Sequence, residues 1–132
     1  MADIPTDLKY SKDHEWVRPS GNGKVRIGIT DHAQRQLGDI VYVEQPKSGD
    51  SFESSEPFGS VESVKAVSEI YMPVGGTIAA VNEDLNSDPE YLNTDPYGEG
   101  WIVQVTMSDP KHLDDLLTAA EYADYIREEA AD

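Results

Sequence analysis

A primary amine set between two apolar side chains is the most chemically suggestive feature of this chain. Lys65 lies between Val64 and Ala66 in the segment Glu62-Ser63-Val64-Lys65-Ala66-Val67-Ser68-Glu69. Lysine is scarce, occurring otherwise only at positions 9, 12, 24, 47 and 111. Two β-prone runs meet at Lys65, so a tight turn there leaves its ammonium in solvent. Three kinds of chemistry fit an exposed lysine unequally. A charged hairpin tip that only discourages aggregation requires nothing further. A Schiff-base lysine requires burial or a neighbouring cation to lower its pKa, and an exposed tip among acids supplies neither. A modification site requires a reachable amine on a rigid scaffold, and the tip supplies that. Acylation there converts a charged ammonium into a neutral amide on a long tether. Spacing alone leaves the first and third readings open.

The remaining reactive groups exclude more than they offer. Cysteine is absent, which removes thiol nucleophiles, Cys-based zinc sites and disulfides together. His14, His32 and His112 are far apart in sequence, with no partner at helical ligand spacing, so no metal centre is expected. The stretch Asp84 to Glu90 alternates oxygen ligands, but Pro89 stands where a calcium loop needs its sixth-position glycine. Asp95 stands where that loop needs a bidentate glutamate. A turn-rich surface loop is expected instead. No nucleophile–base–orienter set can be assembled, so the chain reads as a non-enzyme.

The elements that position Lys65 are short strands. His14 to Arg18 reads as a strand closed by Pro19-Ser20-Gly21-Asn22-Gly23, and Val25, Ile27 and Ile29 alternate with polar or small residues. Thr30 or Asp31 caps a brief helix that Leu37-Gly38 ends, near 31–37. Ile40 to Val43 is expected as a buried strand. Residues 58–64 and 67–72 flank the lysine, Gly75-Gly76 turns the chain into 77–81, and Trp101, Val103, Val105 and Met107 share one face of a last strand. The pattern predicts a mainly β fold with two packed sheets, a sandwich or barrel. Asp109-Pro110 then starts a helical segment over about 110–129. Thr118 to Glu121 fits a capping box, Tyr122, Tyr125 and Ile126 form an apolar stripe, and fraying is expected from Glu128-Glu129.

The 132 residues carry 26 acids against 10 bases, a formal charge of −16. Nucleic acid and anionic lipid are therefore poor partners, and no apolar run is long enough to span a bilayer. The charge either serves solubility or steers the protein to basic docking patches; composition does not decide. The first seven residues lack the features of a secretory signal or transit peptide, so a cytoplasmic location is expected, with a processed organellar form left open. The length fits one domain, 1–132.

Several motifs in order carry a resemblance. Glu62-Ser63-Val64-Lys65-Ala66 with Pro73-Val74-Gly75-Gly76 resembles the attachment hairpin of the biotinyl/lipoyl carrier superfamily. Nearly the whole chain resembles the glycine cleavage H proteins. The matches are Tyr10 with His14-Glu15-Trp16-Val17, Gly28 to Gln34, Leu37 to Val41, Phe58 to Lys65, Asn82, and Asn93 with Asp95 to Trp101. Biotin carriers typically set their lysine between methionines, and Val64 and Ala66 argue against biotin.

The resemblance implies a sandwich/barrel hybrid of lipoyl-domain type, with lipoate amide-linked to Lys65 by a lipoate ligase or lipoyltransferase. It implies a shuttle of the aminomethyl group from a pyridoxal-phosphate glycine decarboxylase to a tetrahydrofolate-dependent aminomethyltransferase. A flavin (FAD) dihydrolipoamide dehydrogenase then reoxidises the arm. A loaded arm left in water would hydrolyse, so a sheltering cleft is expected. Glu15 resembles the acid that faces the stored arm; a solvated strand-edge acid is the plainer alternative. Family members can carry His at the position of Gln36. A monomer is the expected state for a shuttle. A lipoyl donor in a lipoate relay and an unmodified β-sandwich interaction module remain as alternatives.

Overall fold

The computed structural model describes residues 3–131; Met1, Ala2 and Asp132 of the expected 1–132 domain lie outside them. Among the described residues the strands are β1 (Lys9–Tyr10), β2 (Glu15–Gly21), β3 (Lys24–Ile29), β4 (Ile40–Glu44), β5 (Ser51–Phe52), β6 (Pro57–Ser63), β7 (Val67–Tyr71), β8 (Gly76–Val81) and β9 (Val103–Met107). The helices are α1 (Asp31–Leu37), α2 (Tyr91–Thr94) and α3 (Ala119–Ala131), with 3₁₀ turns at Glu83–Asn86 and Pro110–Asp115. A six-stranded sheet has the order β1-β2-β3-β9-β8-β5, and a three-stranded sheet has the order β4-β6-β7. All pairs are antiparallel. The architecture is the mainly β, two-sheet form that the period-2 pattern predicts.

Alternation along the strands decides which side chains meet. Val25 and Ile27 of β3, Ile78 of β8 and Val103 and Val105 of β9 share one buried cluster with Val43, Val61 and Ile70 of the smaller sheet. Neighbours on a strand point to opposite faces. Val17 joins this cluster, while the adjacent Trp16 joins a second one with Leu8, Tyr10 and Tyr122. The larger sheet is therefore covered on both faces along β2, and α3 supplies the second cover. Tyr10 and Tyr122 stack with centroids 4.7 Å apart and planes 3° apart. Tyr125 and Ile126 pack against the same cluster, so the expected apolar stripe is the docking face of α3. Its capping box also forms: Thr118 Oγ1 accepts from the Glu121 N–H at 3.2 Å, and Glu121 Oε1 accepts from the Thr118 N–H at 2.9 Å.

Four local expectations need correction. β2 does not close at Arg18 but continues through Pro19, paired with Val25, to Gly21 across a register shift. Such an irregularity is where a strand tolerates proline. Ile40 to Val43 is not uniformly buried, because Val41 and Tyr42 are 47% and 54% exposed. A register shift between Ile40 and Tyr42 breaks the alternation there. The acidic stretch after Val81 is more than a loop. Asn82 accepts from the Asp84 N–H and caps a turn that buries Leu85, and α2 then buries Leu92. Finally, α3 runs on to Ala131, past the expected end of the helical segment near 129.

Trp16 is fully buried opposite Gly28, and its Nε1–H donates to the Pro96 carbonyl at 2.9 Å. A Cβ on residue 28 would lie 2.7 Å from the indole ring. Gly28→Ala is expected to cost about 1–3 kcal/mol by overpacking. Urea denaturation measures this, and unchanged stability would show that the ring has room to move.

Candidate functional site

The lysine tip is built from hydrogen bonds that consume the turn's own amides. β6 and β7 pair until Glu62 meets Val67, leaving residues 63–66 to reverse the chain. The Ser63 N–H donates to the Ala66 carbonyl at 2.8 Å. The buried Ser63 hydroxyl accepts from the Lys65 and Ala66 N–H groups at 3.3 and 3.1 Å. The Val64 N–H donates to the Asp39 carbonyl at 3.0 Å, fastening the tip to the link between α1 and β4. That link is clamped in turn by Asn93, whose Nδ2 donates to the Gly38 carbonyl and whose Oδ1 accepts from the Ile40 N–H, both at 2.9 Å. The backbone of the tip is thus tied down while its side chains are not. Val64 and Val67 are 69% and 65% exposed, and Lys65 is exposed between them. Lys65 has no ion-pair partner among the described residues. Its Cε passes 3.4 Å from where Gly38 would carry a Cβ, and φ is +83° there, so glycine suits both requirements.

A cleft of about 140 Å³ opens between α1 and β7, the two elements that flank the tip. Ala33, Gln36 and Leu37 form one wall, Ser68, Glu69 and Ile70 the other, and Glu15 also lines it. Glu15 is only 2% exposed. Its Oε1 accepts from the Ser11 hydroxyl and its Oε2 from the Tyr71 N–H, each at 2.8 Å. Burial pushes its pKa up to about 8; the two hydrogen bonds pull the other way without cancelling that effect, and Asp13 adds to the rise. No cation pairs with it among the described residues. The site therefore holds a sheltered carboxyl whose neutral form burial favours. A roomier hollow of about 520 Å³, bounded by Phe52, Gly76 and His112 among others, holds neither Lys65 nor Glu15.

Comparison with known proteins decides the family. The glycine cleavage H-protein family model matches residues 8–129. The chain belongs to that family. It is 54% identical over 129 residues to the glycine cleavage system H protein of Halalkalibacterium halodurans, covering 98% of this chain and all of that one. It is 56% identical over 124 residues to that of Geobacillus thermodenitrificans, covering 94% and 97%. The crystal structure of the H protein from Mycobacterium marinum superposes with a TM-score of 0.84 at 42% identity, over 92% of this chain and 97% of that one.

Among the residues singled out from the sequence of this family member, Lys65 occupies the expected exposed tip. Glu15 is not the solvated strand-edge acid of the plainer alternative, because Ser11 and Tyr71 hold it inside the cleft. Gln36 lines that cleft. Sequence reasoning missed Ser11, whose only local mark is a hydroxyl followed by a turn. It quoted Ser63 and Asn93 only as parts of motifs. It also missed that His14 and His32, eighteen positions apart, meet with ring centroids 4.8 Å apart, because their spacing matches no single element.

Because the folded pKa of Glu15 is raised above its unfolded value, its contribution is fully present below the unfolded pKa. It is lost as pH climbs from about 4.5 through about 8. Glu15→Gln is expected to flatten that decline by roughly 3–5 kcal/mol between the two limits. Urea denaturation of both proteins at pH 5 and pH 8.5 measures the difference; parallel pH profiles would show that Glu15 ionises freely.

Proposed function

We propose that the chain is a single non-catalytic carrier domain of the glycine cleavage system, with lipoate joined to Lys65 Nζ as an amide. The observation that carries this reading is the exposed amine, without an ion-pair partner among the described residues, on a turn whose backbone N–H groups are all hydrogen-bonded. A lipoate ligase or lipoyltransferase would find the amine reachable and its surroundings rigid. Family membership supports the partners: glycine decarboxylase with pyridoxal phosphate, aminomethyltransferase with tetrahydrofolate, and FAD-dependent dihydrolipoamide dehydrogenase. When attached, lipoate supplies the dithiolane chemistry that takes up and releases the aminomethyl group.

The chain's own residues bind and shelter. The cleft walls from α1 and β7 exclude water from whatever lies between them, which slows hydrolysis of a stored group. Glu15, already desolvated, ionises when an ammonium enters and gives it a charge-assisted partner. The Ser11 hydroxyl and the Tyr71 N–H hold that carboxylate in place. Tethering the reactive group keeps its effective concentration high within each complex. The absence of cysteine means that no thiol of this chain competes for the arm.

Lys65→Arg is expected to keep the wild-type circular dichroism and lose carrier activity to background in glycine–bicarbonate exchange with glycine decarboxylase. Intact mass after treatment with lipoate, ATP and a ligase is expected to show one lipoyl group on the wild type and none on the variant. A lipoylated Lys65→Arg protein would refute the assignment. Glu15→Gln is expected to remain lipoylated yet lose its stored one-carbon unit to water roughly ten-fold faster, as for a lost charged contact of about 1.5 kcal/mol. Equal loss rates would remove Glu15 from the storage role.

A further inference from the structure

We propose that His14, His32 and Glu129 form a binding site for one divalent transition-metal cation of the zinc class, joining α3 to the start of β2 and to α1. One ligand atom from each residue lies within 4.8 Å of the other two. His14 Nε2 is 3.3 Å from Glu129 Oε1, and His32 Nε2 is 3.9 Å from the same oxygen. A tetrahedral zinc ion with bonds of about 2.0–2.1 Å sets its ligand atoms about 3.3 Å apart. One pair already has this separation. The His32–Glu129 pair closes by a small rotation of the long, 40% exposed Glu129 side chain, and the two imidazole nitrogens, within 4.8 Å of each other, close by a modest turn of the His32 ring.

Two independent features aim the imidazoles at that point. The Nε2 of His32 is buried and has no hydrogen-bond partner among the described residues, a condition that native interiors avoid unless a water or ion completes it. His14 is oriented from behind: its Nδ1 is 2.8 Å from the Tyr122 hydroxyl, which is 2.8 Å from Thr30 Oγ1. With Nδ1 donating to Tyr122, the Nε2 lone pair is left facing Glu129. This is how an outer hydrogen bond sets the tautomer of a metal-ligating histidine. The His14 backbone is held at φ +66° by its N–H to the Ser11 carbonyl and its own carbonyl's bond from the Thr30 N–H.

The donor set selects the ion. Two imidazoles and one carboxylate suit zinc and its d-block neighbours, whereas calcium and magnesium prefer all-oxygen shells. Three protein ligands leave a fourth position for water. The formal charge of −16 adds a long-range attraction for any cation. A bound ion would cross-link α3 to β2 and α1, which both contribute to the cleft.

The test uses the full-length chain produced without lipoate, so that no dithiol competes for metal. Titration with Zn²⁺ by calorimetry is expected to show one equivalent bound in the micromolar range or tighter. Excess Zn²⁺ is expected to raise Tm by about 5–10 °C. His32→Gln and Glu129→Gln, checked for folding by circular dichroism, are each expected to bind at least about ten-fold more weakly and to lose the Tm rise. Absence of a stoichiometric site, or unchanged affinity in the double variant, overturns the proposal. If either variant fails to fold, the wild type decides by NMR: Zn²⁺ must shift the ring resonances of His14 and His32, and shifts confined to other residues overturn it.

Discussion

Glu15 bridges the two sheets at the base of the cleft, accepting from the Tyr71 N–H of β7 while sitting on β2 of the larger sheet. Much of the site follows from that bridge. Tyr71 lies at the end of β7, where its amide would otherwise face an interior acceptor shortage. The Ser11 hydroxyl donates to the carboxyl and itself accepts from the Asp13 and Glu15 N–H groups at 3.2 Å. The turn that carries Glu15 is thereby organised around the same oxygen atoms. A buried carboxyl with two neutral donors and no cation is stable mainly in its protonated form, so the cleft stores an unmet demand for positive charge.

The exposed end of the site obeys the opposite rule. At the tip, every backbone amide from Ser63 to Ala66 is satisfied from within the protein, while Val64, Lys65 and Val67 are left to solvent. Rigidity comes from the main chain and accessibility from the side chains. Asn93 extends the clamp to Gly38 and Ile40, so the tip is fixed relative to α1 as well as to its own sheet. A modifying enzyme would meet an amine whose base is ordered in advance, which lowers the entropic cost of recognition.

Local chemistry carried most of the fold. Alternation at Val25, Ile27 and Ile29, the Thr30 cap, the Gly38 stop and the Thr118 box are each readable from a few adjacent residues, and each forms. What was not legible depends on residues distant in sequence. Nothing near Ile40 announces the register shift that exposes Val41 and Tyr42. The length of β2 past Pro19 depends on pairing with Val25. Lys65 was legible because its chemistry is exposure, which a turn confers locally. The burial of Glu15 was not, because a carboxylate in an alternating strand reads as solvated until β7 and α1 close over it. The meeting of His14 with His32 required the β3-to-α1 connection to bring the two together, and Glu129 required α3 to dock.

The double covering of β2 distributes stiffness unevenly. Strands β2, β3 and β9 have neighbours on both sides, and their main-chain protons are shielded by the main core; α3 and the stacked tyrosines shield β2 further. β7 is one of the two outer members of the smaller sheet, with Val67, Ser68 and Glu69 all exposed. In deuterated solvent the inner strands would exchange only through global opening, and β7 through cheap local excursions. The protein thus sets Lys65 on a clamped turn beside a thin outer strand, while the opposite half of the body is covered on both faces.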